Sequence, residues 1–113
     1  MQVSVHHDGN VIGTAILEHL DPPMGVAFGP FSPLAQYARD QHANTIDGEY
    51  IADRGQSLSV DADPYGRLET ASIAIEDWND PELGKQLTVW FRDGNTFAAL
   101  FPAHADYRAY YER

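Results

Sequence analysis

Alternating apolar and polar residues near the start of the chain predict two β-strands. In Gln2–His7, Val3 and Val5 alternate with polar residues, whereas Val11–Leu20 is apolar on both faces. The second pattern is typical of a strand with neighbours on both sides. Asp8-Gly9 separates the two runs and suits a tight hairpin, because glycine accepts the positive φ that the turn demands. We therefore expect a β-hairpin whose second strand lies inside the sheet.

Prolines and glycines interrupt the pattern between Asp21 and Pro33. Met24–Phe28 is predicted to form a short strand that Gly29-Pro30 ends, since proline has no backbone N–H to donate. Ser32-Pro33 is typical of a helix start, with serine as N-cap and proline in the first turn, and the helix should end near Asn44. The residues that would share one face of this helix are Leu34, Tyr37, Ala38 and Gln41.

The second half of the chain contains signals for two more hairpins and a terminal helix. Asp63-Pro64-Tyr65-Gly66 suits a type I turn between two strands, and Asp93-Gly94 suits a tight turn between two others. Asp77–Gly84 should form an exposed acidic connection. The four strands and the helix are predicted over Leu58–Val60, Leu68–Ile75, Gln86–Arg92, Asn95–Phe101 and Ala103–Glu112.

These elements predict one α+β domain over residues 1–113. The sheet should be largely antiparallel, built from hairpins, with two short helices on one face. A small curled barrel whose helices cap one end is the alternative, and the sequence does not separate the two. A chain of 113 residues without cysteine has to fold on its apolar core alone, with no disulfide and no thiolate metal site.

The charge of the chain indicates what kind of partner it can have. Seventeen acidic and seven basic residues give a net charge of −10. From Asp40 to Glu82 there are eleven acids against Arg54 and Arg67, a net charge of −9. Such a surface repels phosphate backbones and attracts basic proteins, so we expect no nucleic-acid binding. Solubility alone is the simpler interpretation of the same charge.

Targeting signals and membrane spans are not expected. The longest apolar runs, such as Phe97–Pro102, are far shorter than the ~20 residues that a membrane span needs. The residues Met1–His7 lack the basic flank and apolar stretch of a secretory signal. The sequence therefore predicts a cytoplasmic protein that does not bind membranes.

Motifs for metal binding and catalysis are weak. His6 and His7 would point to opposite faces of a strand, and no histidine pair has a metal-binding spacing. Asp61–Gly66 resembles the start of a calcium loop, but Ser72 stands where a bidentate glutamate is required. The chain has no Gly-x-Ser-x-Gly elbow and no phosphate-binding glycine loop. We therefore predict no metal and no cofactor, and we favour a protein that is not an enzyme.

The proline-rich segment Asp21–Pro33 is the best candidate for lining a ligand groove. It is a rigid segment that displays Met24, Phe28 and Phe31, and His19, Asp21 and His104 would be the polar contributors to the pocket. A stiff crossover that lays its aromatics on the core is the alternative. The predicted ligand-binding residues are His19, Asp21, Met24, Phe28, Phe31 and His104.

Aromatic residues near the carboxyl-terminal end predict an interaction surface. The candidates are Trp90, Tyr107, Tyr110 and Tyr111. If no helix covers them, they would form a face for a partner or for a homodimer. If the terminal helix packs on Trp90, the cluster belongs to the core.

The run Asp21-Pro22-Pro23-Met24-Gly25-Val26-Ala27-Phe28-Gly29-Pro30-Phe31, together with Phe101-Pro102-Ala103-His104 and Tyr107, resembles a group of small uncharacterised bacterial proteins. They carry a similar Asp-Pro-Pro-Met-Gly-Val-Ala segment. The resemblance implies a stand-alone bacterial protein of one domain, and it brings no activity, cofactor or catalytic residue.

Three hypotheses for the function follow. The first is a small acidic binding protein, not an enzyme, that docks a basic protein or associates with itself. The second is a small enzyme or ligand-binding domain with a pocket near residues 19–33 and 104. The third is a structural subunit whose role is assembly.

Overall fold

A computed structural model describes residues 1–54, 57–63, 65–79, 84–93, 99–101 and 104–111 of the chain, without the side chains of Tyr107, Tyr110 and Tyr111. Ten strands within these ranges form one sheet. They are β1 (Gln2–His7), β2 (Asn10–Ile16), β3 (His19–Asp21), β4 (Val26–Pro33), β5 (Thr45–Ile46), β6 (Glu49–Tyr50), β7 (Leu58–Ala62), β8 (Gly66–Arg67), β9 (Thr70–Asp77) and β10 (Lys85–Phe91).

The sheet is strongly curled into a half-barrel. Its strand order is β6-β5-β9-β10-β4-β2-β1-β7-β8, and β3 pairs with β4 beside this path. All the described pairings are antiparallel except β5 with β9. β4 joins the two halves, because β10 pairs with its first part on one side while β3 and then β2 pair with it on the other.

The expected α+β class is wrong, because the fold is mostly β. Strands hold 50 of the 97 described residues, and helical segments hold 16. The described helical segments are short: a 3₁₀ turn over Pro22–Met24, α1 (Arg39–His42) and α2 (Ala105–Tyr111). They do not form the predicted helical layer over one face of the sheet.

The helix predicted to start at Ser32-Pro33 is replaced by strand. Ser32 pairs with Thr14 in the ladder between β4 and β2, and Leu34 donates its N–H to the carbonyl of Ile12 at 2.9 Å. Pairing with the neighbouring strand therefore satisfies the backbone that the Ser-Pro signal would have placed in a helical turn. The helix begins only at Arg39, after an extended Ala38.

The break predicted at Gly29-Pro30 is also wrong, since β4 continues through it. Gly29 allows a very close approach there, because a Cβ on it would lie 1.7 Å from the carbonyl oxygen of Ile16. On this side β3 pairs with β4 only up to Phe28, and β2 only from Phe31. The missing N–H of Pro30 therefore falls where the ladder is interrupted, and it costs little pairing.

The turn predicted at Asp8-Gly9 is present, and a second Asp-Gly pair, Asp47-Gly48, forms a turn of the same kind. Asp8 and Gly9 have φ of 50° and 82°, and His7 pairs directly with Asn10 across the turn. Asp47 and Gly48 have φ of 51° and 85° and connect β5 to β6 in the same way. Positive φ at both central residues is the signature of a type I′ hairpin turn. β2 then lies between β1 and β4, inside the sheet as expected.

The hairpin predicted around Asp93-Gly94 does not form as expected. β10 is present, but both its edges are occupied, by β4 and by β9. Most of the expected partner strand lies in 94–98, outside the described residues, and Ala99 and Leu100 are helical. Residues 80–83 of the acidic connection, Pro64 of the type I turn and both ends of the terminal helix also lie outside the description.

The apolar core fills the inside of the curl. Alternate residues of the strands point inward, as strand geometry requires. The largest fully buried apolar side chains are Val5, Ile12, Leu17, Val60, Ile73, Ile75, Leu87 and Val89. At the end near α2, Phe91 and Phe101 meet edge to face with ring centroids 5.8 Å apart.

Gly29→Ala should destabilise the protein by about 1–3 kcal/mol or more, because its Cβ cannot fit against Ile16. Gly9→Ala is the matched control. Alanine at position 9 faces a backbone penalty of its own, because φ there is 82°, but its Cβ would meet nothing within 4 Å. Urea unfolding of both variants measures the difference, and an equal loss in both would contradict the close approach of β4 to the chain after β2.

Candidate functional site around buried Asp77

A buried aspartate organises one end of the sheet. Asp77 is the last residue of β9 and is only 1% exposed. The expectation that the exposed acidic connection begins at Asp77 is therefore wrong for this residue. In β9 the residues Ile73 and Ile75 point into the core, and the period of two places Asp77 on the same side.

Three side chains compensate the buried carboxylate. Tyr37 donates its hydroxyl to Oδ2 at 2.5 Å. Lys85 Nζ and Arg39 Nη2 each lie 3.4 Å from Oδ1. Lys85 stands directly opposite Asp77 in the ladder with β10, and Arg39 is the first residue of α1. A carboxylate this deep in a protein is stable only with partners of this kind.

Tyr37 acts in this cluster as a hydrogen-bond donor and not as a base. Burial raises the pKa of its hydroxyl well above the ordinary value, and the hydrogen bond to Asp77 and the charge of Asp77 raise it further. The hydroxyl therefore keeps its proton and holds the Asp77 carboxylate in place. Its ring packs against Phe31, with centroids 5.3 Å apart.

Arg39 links the buried carboxylate to the β5–β6 turn. Its Nη2 lies 3.2 Å from Asp47 Oδ1 and donates to the main-chain oxygen of Asp77, also at 3.2 Å. Asp47 Oδ1 also accepts the N–H of Asn79 at 2.7 Å. That backbone hydrogen bond, aided by Arg39, lowers the pKa of Asp47, against the opposing effect of desolvation. A cavity of about 280 Å³ adjoins this cluster, lined by Tyr37, Arg39, Asp77, Asn79 and Lys85.

The remaining arginine of this region is also engaged. Arg54 donates from Nη2 to the carbonyl of Asp40 at 3.0 Å and from Nε to the carbonyl of Ala43 at 3.4 Å. These two hydrogen bonds of Arg54 thus go to backbone oxygens. We call residues 39–54, which comprise α1, the β5–β6 hairpin and the chain that follows it, the acidic edge. Its four acids are Asp40, Asp47, Glu49 and Asp53.

The acidic edge exposes apolar side chains between its charges. Tyr50 is 66% exposed and Ile51 is 45% exposed. Glu49 is exposed beside Tyr50 in the chain, and Asp40 is exposed on α1. The charge of the Asp40–Glu82 stretch is not confined to this place, because Asp61 and Asp63 lie at the end of β7 and Glu69 lies just before β9.

A histidine pair lies on the other side of Tyr37. His42 is 4% exposed, and its Nδ1 accepts the N–H of Ala38 at 2.9 Å, which caps α1. Its ring meets that of His7 edge to face at 4.7 Å. Burial, and then the charge of His7, lowers the pKa of His42. His42 is therefore a structural residue that the fold keeps neutral.

The predicted ligand-binding residues do not form one group. His19 and Asp21 are exposed on β3, and Met24, in the 3₁₀ turn, is 65% exposed. Phe28 stacks on His19 at 5.2 Å, whereas Phe31 is buried in the core. The set is thus divided between the surface and the interior. Its role in ligand binding stays a prediction.

His104, the last of that set, has both ring nitrogens engaged. Nδ1 accepts the N–H of Asp106 at 3.0 Å, so His104 caps the start of α2. In the neutral ring Nε2 then carries the proton and donates to the carbonyl of Glu18 at 2.9 Å. Asp106 in turn accepts the N–H of Leu20 at 3.0 Å. These contacts fasten α2 to the chain at β3.

Most side chains of the predicted aromatic surface lie outside the part of the chain that the structure describes. Trp90 is half-buried on β10, opposite Ser72 of β9. Tyr107, Tyr110 and Tyr111 belong to α2, but their side chains are not described. Their contact with Trp90 and their role in association stay predictions.

Ser4, His6 and Asp61 come together on the outer face of the sheet, although no sequence motif marked them. Ser4 Oγ lies 2.9 Å and Asp61 Oδ2 3.7 Å from the same nitrogen, His6 Nε2. In a catalytic triad the carboxylate must hold the other ring nitrogen, to orient the base toward the serine. This cluster is therefore a polar contact across β1 and β7, and not a triad.

The described residues hold no group of three histidine, aspartate or glutamate side chains arranged for a metal ion. In the same ranges no helix reaches the length and apolar character that crossing a membrane requires.

Comparison with protein-family models, with curated proteins and with solved structures finds no significant match to this chain. None of these comparisons tests the resemblance of the 21–31 segment to small bacterial proteins, which stays a prediction.

Tyr37→Phe should destabilise the protein by about 1.5–3 kcal/mol, because it removes a hydrogen bond to a buried charge. Tyr50→Phe is the matched control on the exposed β6, where the change should stay within about 0.5 kcal/mol. Urea unfolding near neutral pH measures both. Equal effects would contradict a role for the Tyr37 hydroxyl in holding Asp77.

Acidification should weaken the fold through His42. The unfolded chain takes up a proton at the ordinary pKa of 6.5, whereas the folded chain resists protonation until a lower pH. The unfolded state thus binds more protons in this interval, so the free energy of unfolding falls as the pH drops below about 6.5.

His42→Asn removes the titrating ring but offers an oxygen near the position of Nδ1 to accept the Ala38 N–H. Its stability should therefore change less between about pH 7 and pH 5.5 than that of the natural chain. His19→Asn, at an exposed site, should keep the natural pH dependence. Chemical denaturation at a series of pH values makes the comparison, and identical slopes for all three chains would contradict the role of His42.

Proposed function

We propose that this protein is a binding protein without catalytic activity, which docks a basic protein partner through the acidic edge. We expect this binding to take place in the cytoplasm. The proposal depends on how the basic side chains of this region are bound. Arg39 and Lys85 contact Asp77, Arg39 also contacts Asp47, and Arg54 donates to backbone oxygens. Asp40 and Glu49 remain exposed on the surface beside them.

Exposed apolar area at the same place supports docking over mere solubility. Binding surfaces combine apolar anchors, often tyrosine, with a polar rim. Tyr50 and Ile51 provide such anchors at the acidic edge, and Glu49 stands directly beside Tyr50. A purely solubilising surface would have no need to expose these two side chains together.

The net charge of −10 supports the choice of a basic partner. Opposite charge accelerates encounter and rejects acidic competitors, and the effect weakens as salt screens it. The half-barrel provides a stable frame for this edge, because Arg39 and Asp47 fasten the β5–β6 turn to the buried Asp77.

A short lysine-rich peptide tests the proposal, with binding to the full chain measured by calorimetry at low and high salt. We expect binding at low salt that weakens as salt rises. The variant Asp40→Lys with Glu49→Lys should bind about tenfold or more weakly, which is about 1.4 kcal/mol. Glu18→Lys with Asp63→Lys changes the net charge equally, but both residues lie outside the acidic edge, beside β3 and after β7, so this variant should retain most of the affinity.

Equal loss in the two double variants would show that only the total charge matters, and it would overturn the acidic edge as the docking place. Absence of binding at low salt would overturn the basic partner altogether. Sedimentation of the chain alone distinguishes self-association, which would appear without any peptide.

A further inference from the structure

We propose that the basic partner presents an extended segment that pairs with β6 and extends the sheet by one strand. This inference rests on the proposed function and names the mode of recognition. In the strand order of the described residues, β6 is a terminal strand that pairs with β5 alone. Edge strands of this kind are the sites at which extended peptides add to a sheet.

The backbone of β6 has one side free. Ile46 pairs with Glu49 next to the two-residue turn, and Ile51 donates its N–H to Asn44 at 2.7 Å. Peptide groups alternate in direction along a strand, so those of Glu49 and Ile51 point to β5 and that of Tyr50 points away. Within the described part of the chain, the N–H and C=O of Tyr50 have no bonding partner. They offer one donor and one acceptor to an added strand.

The side chains of the edge select a basic strand. Glu49 and Ile51 lie on one face and Tyr50 on the other, since side chains alternate along a strand. A lysine or arginine on the added strand would meet Glu49, and its apolar neighbours would meet Ile51 or the Tyr50 ring. A second copy of this chain would bring like charges together, because it would place Glu49 beside another acidic edge. The charge therefore favours a basic segment over self-pairing.

The edge is held ready for this pairing. Asp47 is fixed by the N–H of Asn79, which follows β9, and by Arg39 of α1. Gly48 lies so close to Trp78 that a Cβ would come within 2.8 Å of its ring. The turn therefore packs against the end of β9, so binding an added strand requires little further ordering of the chain.

The first test compares two lysine-rich peptides of the same sequence, one with alternate backbone nitrogens methylated so that they cannot pair with a strand. Both carry the same charge. We expect the unmodified peptide to slow hydrogen exchange at the Tyr50 amide and to bind about tenfold more tightly than the methylated one.

The second test removes the Tyr50 N–H from the protein. Tyr50→Pro and Tyr50→Ala both lose the ring, but only proline loses the donor, and proline is tolerated where an edge N–H faces away from the sheet. Tyr50→Pro should bind the unmodified peptide several-fold more weakly than Tyr50→Ala. If Tyr50→Pro does not fold, as its urea unfolding would show, the peptide comparison decides alone.

The outcomes separate this inference from the proposed function. Equal binding of the two peptides, or protection from exchange at β8 instead of Tyr50, would overturn strand addition at β6 while leaving an acidic binding protein. Failure of both peptides to bind at low salt would overturn the proposed function itself.

Discussion

Burying the carboxylate of Asp77 is the constraint on which this structure depends. A charge removed from water needs donors close by, and here they come from two separate parts of the chain: Tyr37 and Arg39 at the start of α1, and Lys85 on β10. The short helix owes its position to this demand more than to its own propensity, because a single turn is unstable alone. One carboxylate thereby connects β9, β10 and the segment at the start of α1.

The same carboxylate determines the sign of the nearby surface. The chain has only seven basic residues, and two of them are bound to Asp77. Arg39 is shared with Asp47, so the β5–β6 turn is fixed by the residue that neutralises the interior. The acids that remain outside face water without these cations. Internal compensation and surface charge are therefore two results of one arrangement.

Local chemistry could be predicted from the sequence wherever a single short segment decides the conformation. The turns at Asp8-Gly9 and Asp47-Gly48 follow from glycine and aspartate at positions of positive φ, and the alternation in β10 follows from burial on one face. The helix at Ser32-Pro33 and the break at Gly29-Pro30 were wrong because the neighbouring strands decided the outcome. Pairing with Thr14 overrode the helix signal, and the interruption between β2 and β3 accommodated the proline.

The site was harder to predict for the same reason. The alternation of Ile73 and Ile75 continues to Asp77 and could have indicated an inward carboxylate. Its partners lie 40 residues before it, at Tyr37, and on the next strand, and only the fold brings them together. His104 shows the converse: a histidine that suggested ligand chemistry serves the backbone, 86 residues away from its contact at Glu18.

The central position of β4 has a consequence for how the chain folds. β1 and β2 can pair as soon as they exist, but β4 obtains its second neighbour only when β10 has been made, and Trp90 pairs with Val26 across most of the length of the chain. Pairing strands that lie so far apart in the sequence closes a large loop, and the entropy of loop closure is lost before the contacts form. Folding should therefore be slow for a chain of this size. Until then the open side of β4 would be exposed to other chains during synthesis, which makes it the segment most in need of protection by a chaperone.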